Sequence, residues 1–313
     1  MQKVKNMDQS IVVLGVFVAD TAYRADRAPR MGETIMGNSF ALGPGGKGSN
    51  QAVAAARVGG DVHMITRLGR DPFANMALQT WADAGVKPAI TQHDDGYTGA
   101  AYIFIEEATG DNAIIICPGV AGDISSDDID ANANLIGAAS VFMTQLEQPM
   151  AAAHYALNMA RQAGAITILN PAPAADLPDG MLALCDYATP NESEAEGLTR
   201  IPVVTIEDAK NAAKALLNMG VGTAIITLGE NGVLFHDGIT TRHVPAYNAG
   251  PVVETTGAGD AFNGGFATAL ARGDSPIDAV RFGCATAAIS VTRPGTAPSM
   301  PDLDEVLALL AVN

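Results

Sequence analysis

The segment Glu254-Thr255-Thr256-Gly257-Ala258-Gly259-Asp260-Ala261-Phe262-Asn263-Gly264-Gly265 sets small residues directly before a carboxylate, then opens a helical pattern. Phe262, Phe266, Ala269 and Leu270 follow at helical spacing. Unpaired backbone N–H groups at a Gly-rich helix N-terminus attract anions, because they lie at the positive end of the dipole. A carboxylate beside such a hole is a poor anion ligand but a good base. Asp260 can take a proton from an alcohol while the loop holds negative charge moving toward that alcohol. That is the layout of phosphoryl transfer to a hydroxyl. The same residues also describe a plain glycine loop with a capping Asp, and this segment alone leaves both readings open.

A second glycine cluster, Gly43-Pro44-Gly45-Gly46-Lys47-Gly48-Ser49-Asn50, precedes the helical run Gln51-Ala52-Val53-Ala54-Ala55-Ala56-Arg57. A P-loop needs Ser or Thr after its Lys and Gly six residues before it. Gly48 and Ala41 stand there, so that reading fails. No G-x-G-x-x-G follows the first apolar run, which makes a dinucleotide-binding dehydrogenase remote. The glycines instead let backbone approach a hydroxyl-rich ligand, with Lys47 and Asn50 as donors. Asp20, just past the first strand, can accept from a vicinal diol or serve as a turn residue. Glu147 carries the same ambiguity. Asn191 fits a helix cap, and 227–232 reads as a strand entering a Gly-rich turn.

These residues need a frame. Short apolar runs at 11–16, 63–68, 140–144, 166–169, 187–189, 224–227 and 232–236 read as strands. Between and after them, 47–58, 74–84, 150–162, 192–197, 206–219, 260–271, 275–291 and 303–311 read as helices. The alternation implies an α/β fold: a doubly wound, mostly parallel sheet with helices on both faces. Two stretches break the rhythm. Residues 20–43 read as extended segments around a turn at 29–32; 100–106 and 112–117 flank a turn at 109–111. These strands form a small sheet inserted at about 16–43 and 97–118 of a single domain spanning 1–313, suited to a lid or dimer contact.

Composition narrows the function classes. The 313 residues are 48% hydrophobic and carry a formal net charge of −16, which argues against nucleic acid or an anionic membrane as partner. The three cysteines lie far apart without a C-x-x-C, so neither a disulfide framework nor a zinc site is expected. No apolar run approaches a membrane span. Residues 1–10 are polar and lead into a strand, unlike a signal peptide, so a cytoplasmic enzyme is expected.

Taken together, the motifs resemble the ribokinase (PfkB) family of carbohydrate kinases nearly end to end. The resemblance rests on Gly-Gly-Lys-Gly-Ser-Asn at 45–50 and Thr-Thr-Gly-Ala-Gly-Asp at 255–260. Gln145-Leu146-Glu147, Asn170-Pro171-Ala172-Pro173, Thr189-Pro190-Asn191-Glu192 and Thr227-Leu228-Gly229 extend it in order. It implies ATP-dependent phosphorylation of a sugar hydroxyl, with Mg²⁺ bound through the phosphates and a β-sheet lid that can also form a homodimer contact. Asp260 is then the base, and the amides of Gly257, Ala258 and Gly259 form the anion hole. Val18, Asp20, Gly46, Lys47, Asn50 and Glu147 fall at the sugar. Asn191, Thr227, Gly229, Gly232, Gly259 and Cys284 line the nucleotide site. Glu254, Thr256, Ser290, Arg293, Gly295 and Ser299 match a monovalent-cation site, for K⁺, several of them through carbonyls.

Three positions depart from the family pattern. Val18 stands where Asn is usual, Glu254 where Asp is usual, and Cys284 replaces a polar residue near adenine. The leading expectation is D-ribose giving D-ribose 5-phosphate. Alternatives are 2-deoxyribose, a ketohexose or a nucleoside on the same fold, and a non-catalytic sugar-binding regulator.

Overall fold

The computed structural model describes residues 9–312. The expected absence of a signal peptide concerns residues 1–8, outside the described residues. The strands are β1 (Ser10–Leu14), β2 (Val18–Ala25), β3 (Ser39–Gly45), β4 (Asp61–Gly69), β5 (Lys87–His93), β6 (Thr98–Glu106), β7 (Asn112–Gly119), β8 (Val141–Thr144), β9 (Ile166–Leu169), β10 (Tyr187–Ala188), β11 (Thr223–Thr227), β12 (Val233–His236) and β13 (Thr241–Val244). The α-helices are α1 (Lys47–Arg57), α2 (Pro72–Ala84), α3 (Ser126–Ala131), α4 (Ala133–Ala138), α5 (Met150–Ala163), α6 (Glu192–Thr199), α7 (Ile206–Asn218), α8 (Ala258–Arg272), α9 (Pro276–Ser290) and α10 (Leu303–Ala311).

The main sheet runs β13-β12-β11-β10-β9-β8-β1-β4-β5. It is parallel from β5 to β11 and antiparallel at β12 and β13. A parallel sheet covered on both faces needs strands apolar on both sides, and β1 is buried throughout. Ile11 and Val13 enter the core that includes Phe262, Phe266 and Phe282 of α8 and α9. Val12 and Leu14 enter the opposite core, with Leu157 of α5 and Leu216 of α7.

Sequence reading missed β5 and β13, both at the sheet's edges. Lys87, Pro88 and Gln92 in β5 and Arg242 in β13 hide the strand signal, and only an edge tolerates them. It also missed α3 and α4, each of six residues, too short for a periodic pattern.

The small sheet has the order β3-β2-β6-β7. Its two outer pairs are antiparallel, but β2 and β6 pair in parallel, from Val18 against Gly99 to Ala25 against Glu106. The two insertions thus form one surface. β3 ends at Gly45 and α1 starts at Lys47, so the small sheet joins the body inside the second glycine cluster. Among the described residues no helix is long and apolar enough to cross a membrane.

Candidate active site

Asp260 sits in the first turn of α8 and is 7% exposed. Gly257 caps that helix with φ +83, a left-handed conformation that glycine adopts without strain. Two amides from α1 hold the carboxylate: Asn50 Nδ2 donates to Oδ2 and Gln51 Nε2 to Oδ1, each at 3.0 Å. Burial pushes the Asp260 carboxyl up from its ordinary value; Lys47 and these two donors oppose that shift.

The loop before α8 leaves open a different set of three donors from the one its sequence implies. The Ala258 N–H donates to Thr255 O at 3.1 Å. The N–H groups of Gly257, Gly259 and Asp260 carry no partner among the described residues. A side chain at Gly259 would meet no atom within 4 Å, so the loop faces open space. Three open amides at the positive end of a fifteen-residue helix are an arrangement that can attract an anion, here beside a carboxylate.

Opposite lies Asp20 on β2. A Cβ at Gly45 would come within 2.2 Å of Asp20 Oδ2, so only glycine leaves room for that carboxylate. Gly46 adopts φ +88, and a side chain there would strike Val16 O at 2.5 Å. Burial, then the nearby Asp260, raises Asp20 to about 6. Burial raises Glu147 to about 7, although the Lys47 charge pulls the other way and the Lys47 backbone N–H donates to its Oε2 at 2.8 Å. Burial acts to lower the Lys47 ammonium, but Asp260, Glu147 and Glu194 together raise it. Asp20, Lys47, Asn50, Glu147 and Asp260 thus gather from four distant stretches into one cleft. Val18, 3% exposed and two residues before Asp20 on the same strand face, sits between Gly45 and Gly99.

The expected nucleotide residues assemble at the carboxyl end of β11. Asn191 caps α6 by accepting from the Glu194 N–H at 2.8 Å, and it bridges Thr227. Gly229 and Gly232 bound the following turn, closed by Leu228 N–H donating to Gly232 O at 2.8 Å. Cys284 is buried in the apolar core on α9, where burial pushes its thiol up to about 12.

The expected cation residues lie mostly on two touching segments. The N–H groups of Val253 and Glu254 reach Val291 O, and Glu254 Oε2 accepts from Gly295 N–H at 2.8 Å. Ser290 and Ser299 turn their hydroxyls onto local carbonyls. Thr256 is exposed, and the Arg293 guanidinium turns away to pair with Glu305 on α10. Thr296 Oγ1 ties this loop to Pro44 O of β3 at 2.8 Å.

Sequence reasoning gave no role to Gln51, Glu194 or Asn263. A glutamine in an alanine-rich, buried helix face was the available signal for Gln51. Glu194 is 7% exposed, and burial raises its carboxyl. Asn263, one helical turn after Gly259, donates to the Gly259 carbonyl at 2.8 Å.

Comparison with known proteins converges on one family. The model of the pfkB family carbohydrate kinases matches residues 8–303. A ribokinase of Haemophilus influenzae is 36% identical over 305 residues, covering 97% of this chain and 99% of that protein. A deoxyribokinase of Salmonella typhi is 34% identical with the same coverage. Among solved structures, Arabidopsis thaliana ribokinase complexed with ribose and ATP superposes with a TM-score of 0.90 at 31% identity, covering 96% of this chain and 98% of that one.

Proposed function

The chain belongs to the pfkB family of carbohydrate kinases, and from that premise we propose that it transfers the γ-phosphoryl group of ATP to D-ribose, giving D-ribose 5-phosphate. The observation that carries the reading is the buried Asp260 carboxylate beside three open amides at the start of α8. Asp260 takes the proton from the sugar hydroxyl as it attacks. The amides of Gly257, Gly259 and Asp260 hold the charge on the transferring phosphoryl group, and Lys47 adds a cation on the same side. Asn50, Asp20 and Glu147 orient the sugar by bonding its hydroxyls. Asn50 Oδ1 is buried without a partner, an acceptor suited to one of them. Asn191, Thr227, Gly229 and Gly232 hold the nucleotide.

The described residues contain no group of three or more metal-ligating side chains, which fits a Mg²⁺ carried by the nucleotide's phosphates, where it would offset their charge. The second oxygen of Glu254 and nearby carbonyls suit K⁺, which would steady the loop before α8. Equal kcat/KM in K⁺, Na⁺ and a bulky organic cation would remove that assignment. The small sheet serves as the lid. Its face opposite Asp20 carries exposed Tyr23, Phe40, Leu42, Tyr102 and Ile115, with the Tyr23 ring tilted against Phe40 at 5.0 Å and against Tyr102 at 5.5 Å between centroids. An apolar patch of this kind supports a homodimer through the lid, and sedimentation as a monomer at micromolar concentration would exclude it. Three unpaired cysteines suit a reducing, cytoplasmic location.

A second reading, 2-deoxyribose as substrate, is favoured by one observation: Val18 presents only methyl groups beside Asp20. The deciding experiment is ADP release with D-ribose, 2-deoxyribose, a ketohexose and a nucleoside under identical conditions. Highest kcat/KM on D-ribose supports the reading; release that no sugar stimulates would leave a sugar-binding regulator.

A further inference from the structure

One oxygen of Asp260 is held by a residue outside every motif assigned to the site. Gln51 is fully buried on α1. Its Nε2 donates to Asp260 Oδ1 and to Asn170 Oδ1, each at 3.0 Å, while its Oε1 accepts from Gln145 Nε2 at 2.6 Å. The direction of this relay is fixed at one end. Asn170 Nδ2 donates to the Thr189 backbone carbonyl at 3.0 Å, and a carbonyl only accepts. Asn170 must therefore turn its Oδ1 toward Gln51. Gln51 must answer with its NH₂ group, and the second hydrogen of that group points at Asp260. The same residue steadies the backbone: Thr189 Oγ1 donates to Asn263 Oδ1 at 2.7 Å, and Asn263 Nδ2 donates to the Gly259 carbonyl, one residue before the base.

We propose that Gln51 is the positioning residue of the phosphoryl transfer, fixing the orientation of the Asp260 carboxylate and keeping it ionised through a hydrogen bond whose direction Asn170 and Thr189 dictate. This rests on the reading of Asp260 as the base. Apolar surroundings favour the neutral acid, and a buried carboxylate stays charged only where donors face it. The charged groups around Asp260 are Lys47 of α1, Asp20 of β2, Glu147 beyond β8 and Glu194 of α6. Replacing Gln51 leaves all of them in place, so a change in Asp260 reports the lost amide.

Gln51→Met keeps the length of the side chain and removes the donor. The direct readout is the titration of the Asp260 carboxyl carbon in protein labelled with carbon-13 aspartate, its resonance identified by its loss in Asp260→Asn. The midpoint in Gln51→Met should rise by about one pH unit, the scale of one lost hydrogen bond to a charged group. At neutral pH kcat should fall about tenfold, with KM for ATP within about twofold. An unmoved midpoint in folded Gln51→Met overturns the proposal. If that variant does not fold, Asn170→Ser removes the acceptor that orients Gln51 and should raise the midpoint by a smaller amount; no rise there overturns it equally. The titration needs no turnover. Full activity in Asp260→Asn would refute the base itself, whatever Gln51 does to the titration.

Discussion

The two walls of the cleft are built in opposite ways. On the body wall, Asp260 sits in a mesh of amides from α1, α8 and the residue that follows β9, every link between buried side chains or backbone. On the sheet wall, Asp20 lies over a glycine, and the neighbours of Val18 across the strands are also glycines. The body wall is dense and fixed, and it holds the group that must be aimed within a fraction of an ångström. The sheet wall is thin, and β3, β6 and β7 are half-exposed or exposed along much of their length. The roles proposed above follow the same division, chemistry at the first wall and substrate choice at the second, because only a packed element holds a reacting atom still, whereas a sparse one can be changed without disturbing the core.

That division can be broken at either wall. On the body wall, Asp260→Asn should preserve fold and ATP affinity while lowering kcat by at least about 10²-fold, the scale of a lost general base. Calorimetry and steady-state rates check both halves, and a variant with more than half the original kcat would move the base elsewhere. On the sheet wall, Asp20→Ala should instead raise KM for the sugar by about ten- to a hundredfold, as expected for losing hydrogen bonds to a charged group. Its kcat at saturating sugar should change only a few-fold. A larger loss in kcat than in KM would erase the distinction between the walls.

Val18 sharpens the comparison. A hydroxyl buried against its methyl groups without another partner costs about 1–3 kcal/mol. Discrimination between ribose and 2-deoxyribose should be weak, and Val18→Asn should shift it toward ribose by about tenfold. The measurement is the ratio of kcat/KM for the two sugars before and after. A strong ribose preference that the substitution leaves unchanged means that another group already serves the hydroxyl.

The smallest effect is on stability. Burial raises Glu147 to about 7 and Asp20 to about 6, from unfolded values of 4.5 and 3.8. The folded protein keeps protons that the unfolded chain has released, so their stabilising contribution is full below about pH 4 and lost as pH rises through 6 and 7. Melting temperature of the sugar-free protein should therefore fall more steeply between pH 5 and 8 than that of Glu147→Gln. Parallel curves for the two proteins would show that Glu147 is not shifted.

Much of this molecule is legible in its sequence where the signal is local. The apolar runs of β1, β8 and β9 announce a parallel sheet, since strands covered on both faces have no polar side to display. The glycine at 257 announces the start of α8 because the cap needs a left-handed conformation that glycine adopts without strain. The Gly-Gly-Lys cluster likewise marks the entry to α1. Edge strands β5 and β13 were hidden because an edge tolerates charge and proline.

Other features have no local signature. The parallel pairing of β2 with β6 joins segments about eighty residues apart. Asn50 and Asp260 meet across 210 residues of chain. The raised Glu147 and Asp20, and the amide relay that ends at Gln51, exist only once those segments pack. Residue type and spacing decided which groups were available and which elements would carry them. Burial and the direction of each hydrogen bond were decided by the folded neighbours, because desolvation and donor geometry are properties of what surrounds a group and not of its place in the chain.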